Sequence, residues 1–151
     1  MSPEQKALVQ ETWQHVVPIA DTAAILFYDR LFEIDPKTRD LFHGVDLARQ
    51  GTKLTQAIDM VVGALDRLDE LAPVVADLGR RHAGYGVTDA HYDAVGAALI
   101  WTLEKGLGDG WSDDARDAWS AAYAVLAGIM QSAAAEIDNT QTVRRTAGTA
   151  A

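Results

Sequence analysis

The sequence predicts an all-α fold, and three observations carry that prediction. Nearly every apolar stretch repeats with the three- to four-residue spacing of a helix face. Each stretch is flanked by residues typical of helix ends, with Ser, Asp or Thr before it and Gly or Pro after it. The alternating apolar and polar runs that are typical of strands do not occur in the sequence. About six or seven helices are therefore expected.

Three helical segments are predicted before residue 43. Ser2-Pro3-Glu4-Gln5 is a capping box with proline at the first helical position, so the first helix starts there. Asp21 is expected to cap the second helix, and Asp35-Pro36 to open a short third segment that ends at Leu41-Phe42. The apolar faces of the first two helices are Leu8, Val9, Trp13, Val16 and Val17, and then Ala24, Phe27, Tyr28 and Leu31 with Phe32 beside them.

Two longer helices follow a loop at residues 43–45. One is expected to begin near Asp46 and to continue to Leu68, and the other to start at residues 71–73 and to end at Gly84 and Gly86. Their inward faces are Leu47, Gln50, Leu54, Ala57, Ile58, Val61, Leu65 and Leu68, and then Leu71, Val75, Leu78 and His82. An amide and an imidazole thus lie on faces that are otherwise apolar.

Two further helices complete the predicted domain, which spans residues 1–137. Thr88 or Asp89 is expected to cap the first of them, which ends at a glycine-rich turn, and Ser112 to cap the second. Residues 138–151 are polar and small, and we expect a disordered C-terminal tail there. The inward residues of the two helices are Tyr92, Val95, Leu99 and Leu103, and then Trp119, Ala122, Leu126, Ile129, Ala133 and Ile137.

Composition limits the classes of function. The chain has 151 residues, 48% of them apolar and 23% charged, which is typical of one folded domain. A net charge of −9 and a pI near 4.7 disfavour binding to nucleic acid or to anionic membranes. Cysteine is absent, which excludes disulfides, thiolate metal sites and Fe–S clusters. No secretory signal or membrane-spanning run is recognisable, so a cytoplasmic location is expected.

The histidines do not form a metal site of their own. No two of them lie at i, i+4 on one helix, and the paired Glu-x-x-His motif of di-iron bundles is missing. His82, on an inward face, is either a core histidine bonded to nearby backbone or the single axial ligand of a cofactor such as haem. Gln50 is either solvated at a frayed helix start or a buried amide, and Tyr28 alone is most often a core aromatic. Spacing alone leaves these alternatives open.

Three segments together resemble the globin family. They read LFYDRLFEIDPKTRDLF (26–42), LGRRHAGYGV (78–87) and HYDAVGAALIWTLEKGLGDGW (91–111), and the likeness covers about residues 4–137. The chain is most similar to single-domain bacterial haemoglobins and to the globin domain of flavohaemoglobins, and residues 78–119 also look like neuroglobin. The resemblance implies a globin fold of about six to eight helices around a pocket for haem b (iron protoporphyrin IX).

The resemblance assigns roles to residues at matching positions. His82 matches the iron ligand, whose other ring nitrogen bonds to a backbone carbonyl one turn earlier. Tyr28 and Gln50 match the distal residues of the pocket, and Phe42 the phenylalanine that packs on the porphyrin. The remaining expected haem contacts are Leu54, Leu78, Tyr85, Val87 and Val95 on the pocket walls, with Lys53 and Arg81 beside the propionates.

The implied function is reversible binding of dioxygen, and of nitric oxide or carbon monoxide, at a five-coordinate ferrous iron for storage, delivery or scavenging. Hydrogen-bond donors at Tyr28 and Gln50 would favour dioxygen, which gains more negative charge than carbon monoxide, so slow oxygen release is expected. The alternatives are a nitric oxide dioxygenase that depends on an external reductase, a gas or redox sensor, and a helical adaptor without haem.

One position departs from the flavohaemoglobin pattern, in which a tyrosine and a glutamate hydrogen-bond around the iron-ligating histidine. Tyr92 matches the tyrosine, but Ala134 stands at the glutamate's position, and Glu136 is turned about 200° around the helix from it. A flavin or nicotinamide module and its Gly-x-Gly-x-x-Gly motif are also missing, so an external reductase is expected for redox turnover. The mostly polar helix faces fit a monomer and a weak homodimer equally well.

Overall fold

Six α-helices make up the fold. The computed structural model describes the backbone of residues 1–150 and the side chains of residues 1–136. The helices are α1 Pro3–Val16, α2 Ala20–Ile34, α3 Leu47–Gly63, α4 Leu68–Gly84, α5 Asp89–Leu107 and α6 Asp113–Ala150. Short 3-10 helices lie between them at Val17–Ile19, Pro36–Phe42, Leu65–Arg67 and Gly108–Gly110. Residues 1–150 contain no strand, so the all-α prediction is confirmed.

Most predicted helix starts are confirmed by hydrogen bonds at the caps. The Ser2 hydroxyl accepts from the Gln5 amide at 3.1 Å, and the Gln5 side chain accepts in return from the Ser2 amide at 3.0 Å. Asp46 Oδ1 accepts from the Ala48 amide at 3.0 Å, and the Ser112 hydroxyl from the Ala115 amide at 3.1 Å. Each bond satisfies an amide that the first helical turn cannot pair internally.

Two predicted boundaries and one predicted cap are wrong. Helix α3 ends at Gly63 rather than continuing to Leu68, and α4 begins at Leu68 with Pro73 inside it. Pro73 is the sixth residue of α4, where it removes the backbone hydrogen bond that its amide would otherwise donate. Asp21 lies within the first turn of α2 instead of capping it. The helix dipole still stabilises its negative charge there.

Two residues expected on inward faces are exposed. Val17 is 42% exposed because it starts the 3-10 helix in which the chain changes direction. Leu47 is 39% exposed because it is the first residue of α3, where the helix leaves the loop. The centres of the predicted faces are buried, as Val9, Phe27, Leu31, Val75 and Leu103 illustrate.

Two glycines allow close helix crossings that position α3 and α4, the helices that carry the predicted site residues Gln50 and His82. A Cβ atom added at Gly51 of α3 would lie 2.9 Å from the Ala24 Cβ of α2, and one at Gly79 of α4 would collide with the Met130 backbone of α6. Only a residue without a side chain allows these approaches, so each glycine sets how near its helix comes to its neighbour.

Two expectations concern the ends and surface of the chain. The predicted boundary between a domain over residues 1–137 and a disordered tail over residues 138–151 falls where the described side chains stop, so it stays a prediction. Among the described residues, no helix combines the length and apolar character needed to cross a bilayer.

Candidate functional site

Tyr28 lies at the centre of a buried aromatic cluster. Its ring is 5.1 Å from the Phe27 ring, 5.3 Å from Phe42 and 6.2 Å from Phe32, measured between centroids. The rings of Phe27 and Phe42 meet it edge-on, a geometry in which aromatic pairs gain about 0.5–1.5 kcal/mol each beyond their burial. Tyr28 is only 5% exposed, so packing from three sides fixes its position.

The Gln50 side chain lies close enough to the Tyr28 hydroxyl to influence its pKa through a hydrogen bond. The crossing of α2 and α3 at Gly51 brings these two residues together, since Gln50 precedes Gly51 and Tyr28 lies one turn after Ala24. Burial raises the pKa of Tyr28 to about 12, and the bond to Gln50 opposes this rise only in part. The hydroxyl therefore keeps its proton at any physiological pH and can donate it to a hydrogen bond.

Half-buried apolar side chains surround the polar pair. Phe42, Leu54 and Val95 pack against the aromatic cluster from the 3-10 helix, α3 and α5 respectively. None of the three is fully buried, although each contacts the core on one side. Apolar surface that is in contact with the core and open on its other side suits an apolar ligand with a flat face.

His82 lies in the last turn of α4. Its Nδ1 atom is 2.7 Å from the Leu78 carbonyl oxygen, so the N–H at Nδ1 donates to that carbonyl one turn earlier, as the sequence analysis expected. In this tautomer the lone pair lies on Nε2, which is the form that ligates a metal ion. The imidazole also meets the edge of the Tyr85 ring, at 6.0 Å between centroids.

Residues 85–88, called the corner, follow α4 and lie on the His82 side of the site. Gly86 adopts a φ of 87°, which turns the chain so that the Val87 amide donates to the His82 carbonyl at 3.1 Å. A Cβ atom added at Gly86 would lie 4.0 Å from Leu41, next to Phe42. Gly86 therefore lies near the end of the 3-10 helix at Pro36–Phe42, which carries Phe42.

Three of the expected site residues are placed at the surface. Arg81 is exposed and forms an ion pair with Asp77, with 2.7 Å between Nη2 and Oδ2. Lys53 is exposed, and Tyr85 is 67% exposed. These residues border the site rather than enter it, whereas Leu78 and Val87 lie half-buried beside His82.

Tyr92, the tyrosine expected to hydrogen-bond near the iron-ligating histidine, has a buried hydroxyl with no partner among the described residues. Tyr92 is 8% exposed and its hydroxyl makes no hydrogen bond with any described residue. Burial raises the pKa of Tyr92, and the negative charge of Asp89 raises it further. Ala134 has no polar group to offer, and the Glu136 carboxylate is 4.0 Å from Arg80 Nη2.

Sequence reasoning gave no role to several residues that shape the site. Phe32 and Phe27 complete the aromatic cluster, and the Arg39 guanidinium stacks on Phe32 at 4.8 Å from its ring centre. The four-residue step from Tyr28 to Phe32 could have indicated that Phe32 shares the site. The contact of Leu41 with the corner has no local signal in the sequence.

The arrangement fits an iron porphyrin better than a bare metal ion. The described residues contain no group of three or more His, Asp or Glu side chains that could hold a metal. A porphyrin supplies four nitrogens itself, so the single Nε2 lone pair of His82 suffices. The half-buried faces of Phe42, Leu54 and Val95 match its apolar plane.

Comparison with known proteins gives a consistent result. The sequence signature described as Globin matches residues 25–130, more than half of the chain. Neuroglobin from Tetraodon nigroviridis is 28% identical over 86% of this chain and 90% of its own length, and neuroglobin from Danio rerio is 27% identical over the same shares. The flavohemoprotein of Bacillus subtilis is 32% identical over 81% of this chain, which spans 30% of that protein's length. The chain therefore belongs to the globin family of haem proteins.

Proposed function

We propose that this globin binds dioxygen reversibly at the five-coordinate ferrous iron of haem b, with His82 as the iron ligand. Nitric oxide and carbon monoxide are further ligands of the same pocket. Storage, delivery or scavenging of dioxygen is the use that such a pocket serves. The single observation that carries the proposal is the polar pair of Tyr28 and Gln50, of which Tyr28 lies among three phenylalanine rings.

The side chains on the His82 side hold and orient the cofactor. When bound, haem supplies a ferrous iron that donates electron density to a diatomic gas. The Nδ1 bond to the Leu78 carbonyl keeps the His82 ring in one tautomer and restrains its rotation, which leaves Nε2 for the metal. On the Tyr28 side, Phe42, Leu54 and Val95 would pack against the haem and limit the access of water.

The Tyr28 hydroxyl and the Gln50 amide give the pocket its selectivity. Both are donors in a region where aromatic rings exclude water, so each hydrogen bond to a charged oxygen is stronger than in solution. Dioxygen gains negative charge in such a pocket, and carbon monoxide gains far less. Donors that are fixed before the ligand arrives therefore favour dioxygen and slow its release.

The identity of Gln50 supports a five-coordinate resting iron. A histidine in that place offers an imidazole nitrogen to the metal, whereas a glutamine amide is a weak ligand for iron. The Gln50 side chain also lies close to the Tyr28 hydroxyl. No strong sixth ligand then competes with dioxygen.

The absorption spectrum of the reduced protein, with and without dioxygen, tests this proposal. We expect a Soret band, a high-spin five-coordinate ferrous spectrum and a stable oxygenated form. A ferrous spectrum typical of low-spin bis-histidine ligation would contradict the role of Gln50. Purified protein that takes up no haem after reconstitution would contradict the whole proposal.

Nitric oxide dioxygenation is a second candidate, favoured by the 32% identity to a flavohemoprotein. It converts nitric oxide and dioxygen to nitrate and needs an external reductase to return the iron to the ferrous state. The unpartnered Tyr92 hydroxyl and the apolar Ala134 argue for weak electron donation through His82. Sustained consumption of nitric oxide with a flavin reductase and NADPH would favour the enzyme, and a single turnover would favour the oxygen carrier.

A further inference from the structure

Arg39 covers one face of the buried aromatic cluster. Its guanidinium carbon lies 4.8 Å from the centre of the Phe32 ring. Arg39 is exposed whereas Phe32 is buried, so the covered face of the ring points towards the surface. A guanidinium is planar and weakly hydrated, and the negative face of an aromatic ring attracts its charge, so the two groups stack favourably.

The 3-10 helix after α2 places Arg39 and Phe42 on one side. Such a helix has three residues per turn, so residues three apart lie one above the other. The Phe42 ring meets the Phe32 ring edge-on, at 5.8 Å between centroids. Thr38 fixes this turn, because its amide and its hydroxyl both donate to the Asp35 carbonyl, at 3.0 Å and 2.6 Å. The Phe32 ring is therefore held at two places by the same short helix.

Phe32 connects this contact to the hydrogen-bond donor of the site. Its ring lies 6.2 Å from the Tyr28 ring, with an angle of 33° between the two planes. The Tyr28 ring also meets the Phe42 ring, at 5.3 Å. The three rings thus form a closed triangle of contacts, and a shift of Phe32 removes support from both of the others. A single ring separates Arg39 from Tyr28.

Among the described side chains, Phe32 and not a carboxylate is the partner of Arg39. No described carboxylate lies within ion-pair distance of the Arg39 guanidinium. The nearby Asp35 carboxylate accepts from the Lys37 amide at 3.2 Å. Although the chain carries a net charge of −9, this cation therefore lies against a ring, and the stack is the contact that holds it in place.

We propose that Arg39 is a positioning residue for Tyr28: its guanidinium clamps the Phe32 ring, which keeps the Tyr28 hydroxyl directed at the bound gas. The inference rests on the proposed function, since Tyr28 is taken as the donor to dioxygen. With the stack in place, Phe32 is held in one position, and the hydroxyl is fixed before the ligand arrives. Without the stack, Phe32 gains freedom and Tyr28 turns away from the ligand for part of the time. Dioxygen is then released faster.

Three substitutions separate the parts of this contact. Arg39→Met keeps an unbranched apolar stem over the ring and removes the charge and the planar group. Arg39→Lys keeps the charge without the planar group, so it should restore part of the effect. Arg30→Met is the matched control, because the Arg30 guanidinium stacks on the Trp101 ring at 5.0 Å, outside the aromatic cluster.

The first measurement determines whether the stack holds Phe32, and it needs no gas. We expect Arg39→Met to lower the folding equilibrium constant of the purified full-length protein by about twofold to fivefold, the range for an exposed cation–π pair. In a Phe32→Leu background, which removes the ring and keeps apolar bulk, the same substitution should have no effect. Denaturant titration of the four proteins measures this. Equal losses in both backgrounds would overturn the proposal, because Arg39 would then act without Phe32.

The second measurement determines whether the stack acts through Tyr28. We expect Arg39→Met to speed dioxygen dissociation from the haem-loaded protein by about twofold to fivefold and to leave carbon monoxide dissociation unchanged. Arg39→Lys should fall between Arg39→Met and the unsubstituted protein, and Arg30→Met should leave both rates unchanged. In a Tyr28→Phe background, Arg39→Met should have no further effect on dioxygen dissociation.

The remaining outcomes contradict the proposal. Equal acceleration with and without the Tyr28 hydroxyl would mean that the charge of Arg39 acts on the ligand directly. Lower stability with an unchanged dissociation rate would leave Arg39 as a structural contact only. If the protein binds no dioxygen, the proposed function and the positioning role fail together, while the first measurement still decides whether Arg39 clamps Phe32.

Discussion

The two sides of the site are held in different ways. On the distal side, Tyr28 is 5% exposed and is enclosed by three phenylalanine rings. On the proximal side, His82 is half-buried and its neighbour Tyr85 is 67% exposed. The backbone of His82 is held mainly by hydrogen bonds from backbone amides. Dense packing fixes the Tyr28 hydroxyl, whereas His82, the proposed iron ligand, is held by a few hydrogen bonds and is more open to solvent. The Tyr28 side of the site is therefore tightly packed, and the His82 side is looser.

Removal of the imidazole at residue 82 should have the largest effect. We expect His82→Ala to lose its haem almost completely, because the iron then loses the single protein nitrogen that we propose as its ligand. The haem content after purification, measured from the Soret absorbance per protein, checks this. His43→Ala, which changes an exposed histidine, is the matched control and should keep its haem. A fully pigmented His82→Ala protein with an unaltered spectrum would remove the basis of the proposed function.

A substitution on the Tyr28 side should change the rate at which the bound gas dissociates. We expect Tyr28→Phe to speed dioxygen dissociation by roughly tenfold to a hundredfold, since a hydrogen bond to a charged acceptor contributes about 1.5–3 kcal/mol. Carbon monoxide dissociation should change by no more than about twofold, because that ligand gains little charge. Stopped-flow displacement of each gas measures both rates. Tyr85→Phe, which changes an exposed hydroxyl, should leave both rates unchanged.

The sequence predicts the distal side more completely than the proximal side. The cap at Asp46, the aromatic face of α2 and the short helix after Pro36 all have local signals, and together they bring Tyr28, Phe42 and Gln50 to one place. Local capping chemistry and helical spacing are readable because they act within a few residues. The contacts between helices at Gly51 and Leu41 depend on the packed structure, so they could not be predicted.

Proximal features were harder to predict for physical reasons. His82 and its bond to Leu78 follow from helical spacing, and the Asp77–Arg81 ion pair has the i, i+4 spacing of a helix-surface pair, which the sequence analysis did not consider. The expected contact of Arg81 with a propionate stays a prediction. The hydrogen bond from the Thr88 amide to His91 was also missed, because the usual capping pattern has glutamate or glutamine at that position.

Alkaline titration should distinguish the buried tyrosine from an exposed one. The pKa of Tyr28 is about 12, above its ordinary value of 10, so the neutral form contributes stability that is complete below pH 10 and is lost as the pH rises towards 12. We expect this contribution to be about 1–2 kcal/mol, less than the full shift implies because solvent screens part of it. Denaturant unfolding at pH 9 and 11 measures it.

The matched control for the alkaline titration is Tyr28→Phe, which should lose less stability between those two pH values. Tyr92 and Tyr123 also have raised pKa values, owing chiefly to burial, so some loss should remain in the variant. Equal losses in the two proteins would mean that the Tyr28 hydroxyl ionises as readily in the folded protein as in the unfolded chain. The packing of the distal side would then be much looser than the ring contacts indicate.

The smallest expected effects concern two exposed cations, Lys53 and Arg81, one on each side of the site. Both Lys53 and Arg81 were expected beside the haem propionates, but Arg81 already pairs with Asp77 at 2.7 Å, whereas Lys53 has no ion-pair partner among the described residues. A propionate contact from Arg81 would have to break that pair, so the gain is small. We expect Lys53→Gln to speed haem transfer to apomyoglobin by about twofold to fivefold, the range for an exposed charge pair. Arg81→Gln should change the rate less than Lys53→Gln does, and Asp77→Asn should slow the transfer by freeing Arg81. A larger effect from Arg81→Gln than from Lys53→Gln would mean that the proximal arginine leaves Asp77 when the cofactor binds.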